Sequence, residues 1–139
     1  MDALKIGVLL GVFLALTPTH INWTQTASSL QNRVPRPDPK HYDSVRDAKH
    51  WKNPYLVVHP YGIEIIGITP FGQEITVDSV KQVLERLPNS AWPYGLVVAV
   101  QDAGVVSLKT DKARIEANRI KLLKLLKELG ITVERWPSA

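Results

Sequence analysis

The run Leu96-Val97-Val98-Ala99-Val100-Gln101, followed at once by Asp102-Ala103-Gly104, decides how the rest of the chain is read. An unbroken series of β-branched and apolar residues bounded by turn residues reads as the central strand of a small domain. Immediately before it, Asn89-Ser90-Ala91-Trp92-Pro93-Tyr94-Gly95 is a loop by its turn residues, and it delivers the chain into the strand at Leu96. Further upstream the period changes to three and four, with Val77, Val80, Val83, Leu84 and Leu87 on one stripe. Thr76 is placed to cap this helix, Asp78 suits its first turn, and Pro88 closes it.

Downstream of Gly104 an irregular stretch leads to a second helical pattern on Ile115, Leu122, Leu123, Leu125, Leu126 and Leu129. Thr110 or Asp111 is positioned to cap its start, and Gly130 sits where a left-handed C-terminal cap belongs. Lys121, Lys124, Lys127 and Glu128 fall opposite most of those leucines, as a solvated face should. Ile131-Thr132-Val133-Glu134-Arg135 then alternates like an edge strand. At the other end of the domain, Tyr55–His59 and Ile63–Ile68 are strand signals around the turn Pro60-Tyr61-Gly62, which predicts a hairpin. The order is ββαβαβ, with a parallel βαβ unit at its end. A four-stranded mixed sheet with two helices packed on one face is expected, an α+β (or α/β) domain over residues 54–139, because two helices are too few to cover both faces of a doubly wound sheet.

Ahead of that domain the composition shifts twice. Ile6 to Leu16 is an apolar run of about a dozen residues, short of the ~20 that span hydrocarbon, so residues 1–27 read as a signal peptide ending near Ala27. The alternative is an uncleaved short anchor running on to Ile21 with Trp23 at the interface. Residues 28–53 carry Pro35, Pro37 and Pro39 in alternation and read as a stiff, proline-rich tether, with one short helix over 42–51 as an option inside it.

The whole composition narrows the functional classes. Lysine plus arginine number 17 against 13 acidic residues, a net +4 without a dense basic stripe, which disfavours nucleic acid. The absence of cysteine excludes disulfides, thiolate metal sites and cysteine nucleophiles.

Four stretches carry a resemblance: Val57-Val58-His59-Pro60-Tyr61-Gly62-Ile63-Glu64-Ile65, Ile75-Thr76-Val77-Asp78, the strand from Val97 to Asp102, and Leu126-Lys127-Glu128-Leu129-Gly130-Ile131-Thr132-Val133. Together, over residues 55 to 135, they resemble the periplasmic domain of the ExbD/TolR biopolymer-transport family. The resemblance implies the fold and an envelope location. It carries over no functional residue, because that family bears a full membrane helix with a proton-handling aspartate, whereas here Asp2 precedes a shorter run that contains no acidic residue.

No catalytic, cofactor-binding or metal-ligating constellation stands out. His41, His50 and His59 are nine apart, a spacing that matches neither a helix face nor a zinc pattern. Ser90, His59 and Asp102 contain the residue types of a hydrolytic triad, but no G-x-S-x-G elbow presents the serine. Three residues mark a candidate ligand or partner surface. Asp102 lies beyond the carboxyl end of the central strand, where sheet ligands bind, and Trp92 and Tyr94 are aromatics in a rigid loop. The expected function is a non-enzymatic binding module, periplasmic or secreted, with a protein partner in the cell envelope and no cofactor. The alternatives are a small enzyme with its site near Asp102 and an accessory subunit of an envelope transport machine, which would touch the membrane if the leader is uncleaved. The terminal edge strand offers a second copy a place to pair.

Overall fold

In the computed structural model, residues 30–104 and 106–138 are described, and the leader expected over 1–27 lies outside them. The sheet is built from β1 (Tyr55–His59), β2 (Gly62–Ile65), β3 (Val97–Asp102) and β4 (Thr132–Trp136), in the spatial order β2-β1-β3-β4. Helix α1 (Val77–Arg86) joins β2 to β3, and α2 (Lys109–Glu128) joins β3 to β4. β1 and β2 are antiparallel, while β3 runs parallel to both its neighbours, with Leu56 opposite Val100 and Val98 opposite Val133. Val97, Val98, Ala99 and Val100 are all fully buried, so the run has no polar alternation because neither of its faces meets water. The chain is an α+β domain with a four-stranded mixed sheet, as expected.

One face of the sheet presents Leu56, Val58, Ile63, Ile65, Val98 and Val100 to the helices. α1 contributes Val80 and Leu84, and α2 contributes Ile115, Leu122 and Leu126. The entry to α1 is capped as predicted, by Thr76 Oγ1 accepting from the Ser79 amide at 3.3 Å. The start of α2 is a correction. It begins at Lys109 behind Leu108, which gives no side-chain cap, so Thr110 and Asp111 fall inside the first turn and Asp111 pairs with Arg114 at 3.1 Å instead. Its end follows the prediction: Gly130 takes φ +74, its amide donates to Lys127 and the Ile131 amide to Leu126, which satisfies carbonyls that the helix leaves open.

The opposite face overturns the tether. Leu30 and Val34 sit in the helix-side core, and the chain then wraps around the end of the sheet to place Tyr42 and Trp51 over Val97 and Ala99. There they meet Tyr94, Tyr55 and Trp136, in ring contacts with centroids 5.0 to 5.8 Å apart. The prolines do keep this segment extended, yet an extended strap lies flat on a sheet as readily as it spans solvent. The Pro35 carbonyl accepts from the Leu96 amide at 2.9 Å, at the start of β3. Asn53, the one buried polar residue among those described, fixes the far end of the strap: its Nδ2 donates to the Gly95 and Val97 carbonyls, both at 2.7 Å, and its Oδ1 accepts from the Tyr94 amide at 2.8 Å. Residues 42–51 form turns, not a helix, and the folded unit therefore takes in residues 30–53. Gly95 makes the close pass possible, with φ +87 and a space in which a Cβ would lie 2.8 Å from Pro37 Cα.

The second strand was expected to reach Ile68 and stops at Ile65. The Ile68 and Thr69 amides both turn back to the Ile65 carbonyl, and Thr69 Oγ1 accepts from the Ile65 amide at 3.2 Å. The chain loops out and returns at Ile75, which exchanges backbone hydrogen bonds with Ile63. The β2 edge is thus closed by its own loop, and β4 is the other edge of the sheet. Among the described residues, no helix is long and apolar enough to cross a membrane.

Candidate functional site

Two of the three residues proposed as a binding surface are core. Trp92 is 3% exposed within the helix-side cluster, and Tyr94 is 9% exposed among the aromatic rings, its hydroxyl donating to the His50 carbonyl at 3.1 Å. The Trp92-Pro93-Tyr94 loop is rigid because both rings are buried on opposite sides of the sheet, so neither is free to anchor a partner.

Asp102 does open onto a cavity. Its Oδ2 lies 2.5 Å from Arg119 Nη1, and its Oδ1 is buried without a hydrogen-bond partner. A cleft of about 290 Å³ adjoins it, lined by Asp102, Val106, Lys112, Ile115, Glu116 and Arg119 among others. Lys112, Ile115, Glu116 and Arg119 follow one another at i, i+3, i+4 and i+7, so a single stripe of α2 faces the end of β3. That stripe is visible in the sequence once the helix is known to begin at Lys109. The cleft does not arise from a switch in the winding of the sheet, since both helices lie on one face. It forms where the chain leaves β3 and turns into α2.

The hydrolytic triad is not assembled. Ser90 lies in the turn Asn89–Ala91 before β3, while Asp102 ends that six-residue strand, whose own length is roughly 17 Å at the rise of an extended chain. His59 follows Val58, the residue opposite Asp102, but strand alternation sends its ring to the other face. There its Nε2 lies 3.0 Å from Glu64 and its Nδ1 3.3 Å from Glu74, a carboxylate–imidazole–carboxylate cluster that no local spacing announced. His50 is an exposed partner of Asp47, whose carboxyl is held below its usual range by the His50 backbone amide and then by its ring. Among the described residues no group of three or more such side chains is arranged to hold a metal ion.

Among the described residues, the loop over residues 66–72 brings together three of the six exposed large hydrophobic side chains. Ile66 is 41% exposed, Ile68 39% and Phe71 103%. Gly67 and Gly72 take φ +78 and +76, and Pro70 stands between them, so the loop is bent at defined points. From Ile66 to Gln73 there is no charged residue. Sequence reasoning assigned Ile66 and Ile68 to a strand face and so overlooked this surface. Gly67, inside the apolar run, was the signal that the strand ends before it. Comparison of the chain with protein-family models, with characterised proteins and with solved structures gives no significant match.

Proposed function

We propose that the chain is a non-enzymatic protein-interaction module that works outside the cytoplasm and engages its partner through the loop over residues 66–72. Phe71 carries the reading. A phenylalanine side chain fully open to water at the tip of an uncharged loop has nothing to pack on within its own domain. Burying a ring of this size removes ~150–250 Å² from water, and aromatic anchors seated in a pocket dominate protein interfaces. The return of the chain at Ile75 pins both ends of the loop to β2, which lowers the ordering cost of presenting the ring. The fitting partner is a protein with an apolar pocket bordered by polar groups.

The extracytoplasmic setting rests on the apolar leader from Ile6 to Leu16. N-terminal sequencing of the mature protein is expected to begin near Ser28, whereas recovery of an intact leader in the membrane fraction supports an anchored subunit. For the loop, wild type and Phe71→Asp are compared in capture from envelope extract. The variant is expected to melt with the wild type and to lose the proteins that the wild type retains. Equal retention by both would overturn the assignment.

A further inference from the structure

The cleft beside Asp102 is separate from the loop and has chemistry of its own. Asp102 Oδ2 is taken by Arg119, but Oδ1 is buried with no hydrogen-bond partner, and an unpaired buried acceptor is costly to leave unmet. The missing donor has to come from whatever fills the cavity. Ala103, Val106 and Ile115 give the cleft its apolar surface, and the exposed side chains of Lys112, Glu116 and Ser138 line it as well. Across the four charged side chains the sum is zero, two cations against two carboxylates. With Arg119 already on Asp102 Oδ2, the cleft offers a donor the open Oδ1 and offers an anion the exposed Lys112 ammonium, so a lone amine or a lone acid uses only one of the two. A net-neutral molecule with both groups satisfies the arrangement: its ammonium donates to Asp102 Oδ1, its carboxylate turns to the Lys112 ammonium, and its side chain covers Val106 and Ile115. At about 290 Å³ the space lies at the small end of ligand sites.

We infer that this cleft binds a small zwitterion, of the class of aliphatic α-amino acids.

The test is a titration of the full chain with L-valine, followed by backbone amide resonances. Isobutylamine and isovalerate, each carrying only one of the two charged groups, are the controls. Saturable shifts at residues 102–104 and along 112–119 are expected with L-valine, and each control should bind at least about tenfold more weakly, since it forgoes one charge-assisted hydrogen bond. Asp102→Asn, which keeps the size of the group but turns half of it into a donor, should remove the response. Lys112 is exposed, so Lys112→Glu leaves the fold intact and should also weaken valine by about tenfold or more through repulsion of its carboxylate. Phe71→Asp should bind valine as the wild type does, which keeps the fate of this site separate from that of the loop. Absence of saturable shifts with L-valine overturns the inference. Equal binding of isobutylamine and valine, or an unchanged response in Lys112→Glu, overturns it as well.

Discussion

The two faces of the sheet are built by different means. On the helix side, aliphatic side chains recur at helical spacing on α1 and α2 and meet the alternating aliphatics of β1, β2 and β3. On the other side the cover is a strap with no regular structure beyond one short turn, and its work is done by five aromatic rings drawn from positions 42, 51, 55, 94 and 136. Periodicity writes the first face into any short window of sequence. The second face is assembled from residues whose only common property is where the chain finally puts them. Small sheets with helices on one side have a second face to dispose of, and here the strap covers its centre.

That contrast can be broken most directly by truncation. A chain beginning at Pro54 would keep α1, α2 and all four strands, and a true tether could be lost without effect; instead we expect loss of cooperative unfolding and of dispersed amide resonances, because Leu30, Val34, Tyr42, Trp51 and Asn53 leave the core together. Next in size come matched cavities on the two faces. Trp51→Ala should cost ~3–5 kcal/mol in denaturant unfolding and Leu122→Ala ~2–5 kcal/mol, so the strap side is expected to be worth as much per residue as the helix side. Asn53→Ala tests how the strap is pinned. It leaves two carbonyls and one amide without their partner, and ~2–3 kcal/mol is expected, with the first changes in hydrogen exchange at Tyr94 and Val97.

A smaller effect should separate the faces by pH. Burial raises the Tyr55 phenol above its ordinary 10.0, with the Glu64 carboxylate adding to it, and burial raises that of Tyr42 with Glu134, Asp38 and Asp43 adding. Above pH 10 the unfolded chain then gives up these protons before the folded one does, so the folded state is the more protonated and stability falls as pH rises through that interval. Below it the two tyrosines contribute no slope. Phenolate absorbance followed alongside unfolding should show the loss, and Tyr42→Phe should flatten it. The smallest change is predicted for Phe71→Asp, within about 0.5 kcal/mol of wild type, since a ring with no neighbours holds nothing together.

How much of this was legible follows from the same contrast. Both helices, the cap at Thr76, the Gly130 terminus, the hairpin and the central strand were readable because each is dictated by residues within a turn or two of one another. The caps proposed for α2 failed because Leu108, with no side chain able to bond the helix amides, precedes the first turn. The strap was misread because proline fixes local extension and says nothing about what the extended chain lies against. Trp51 and Tyr42 were the available clue, since large aromatic rings are on average well buried and a spacer in solvent would leave both exposed. At the site, Asp102 could be placed by position, and the α2 stripe beside it needed only the correct helix start. The apolar loop needed the strand end at Ile65, and the meeting of His59 with Glu74 depends on a loop that leaves and returns.

The clasp between the Pro35 carbonyl and the Leu96 amide bears on how the molecule comes into being. The strap is synthesised before the strand it grips, and the ring cluster it joins is completed by Trp136, almost at the other end of the chain. Closing that face requires contacts between residues about as far apart in sequence as the domain allows, and such contacts slow folding because the intervening loop must be ordered first. A nascent chain can form its local helices early, yet it holds its aromatic residues unpaired until the last strand is made. Folding of this protein is therefore expected to be a single late event rather than a progressive one, and its half-made forms to be the ones most open to proteases.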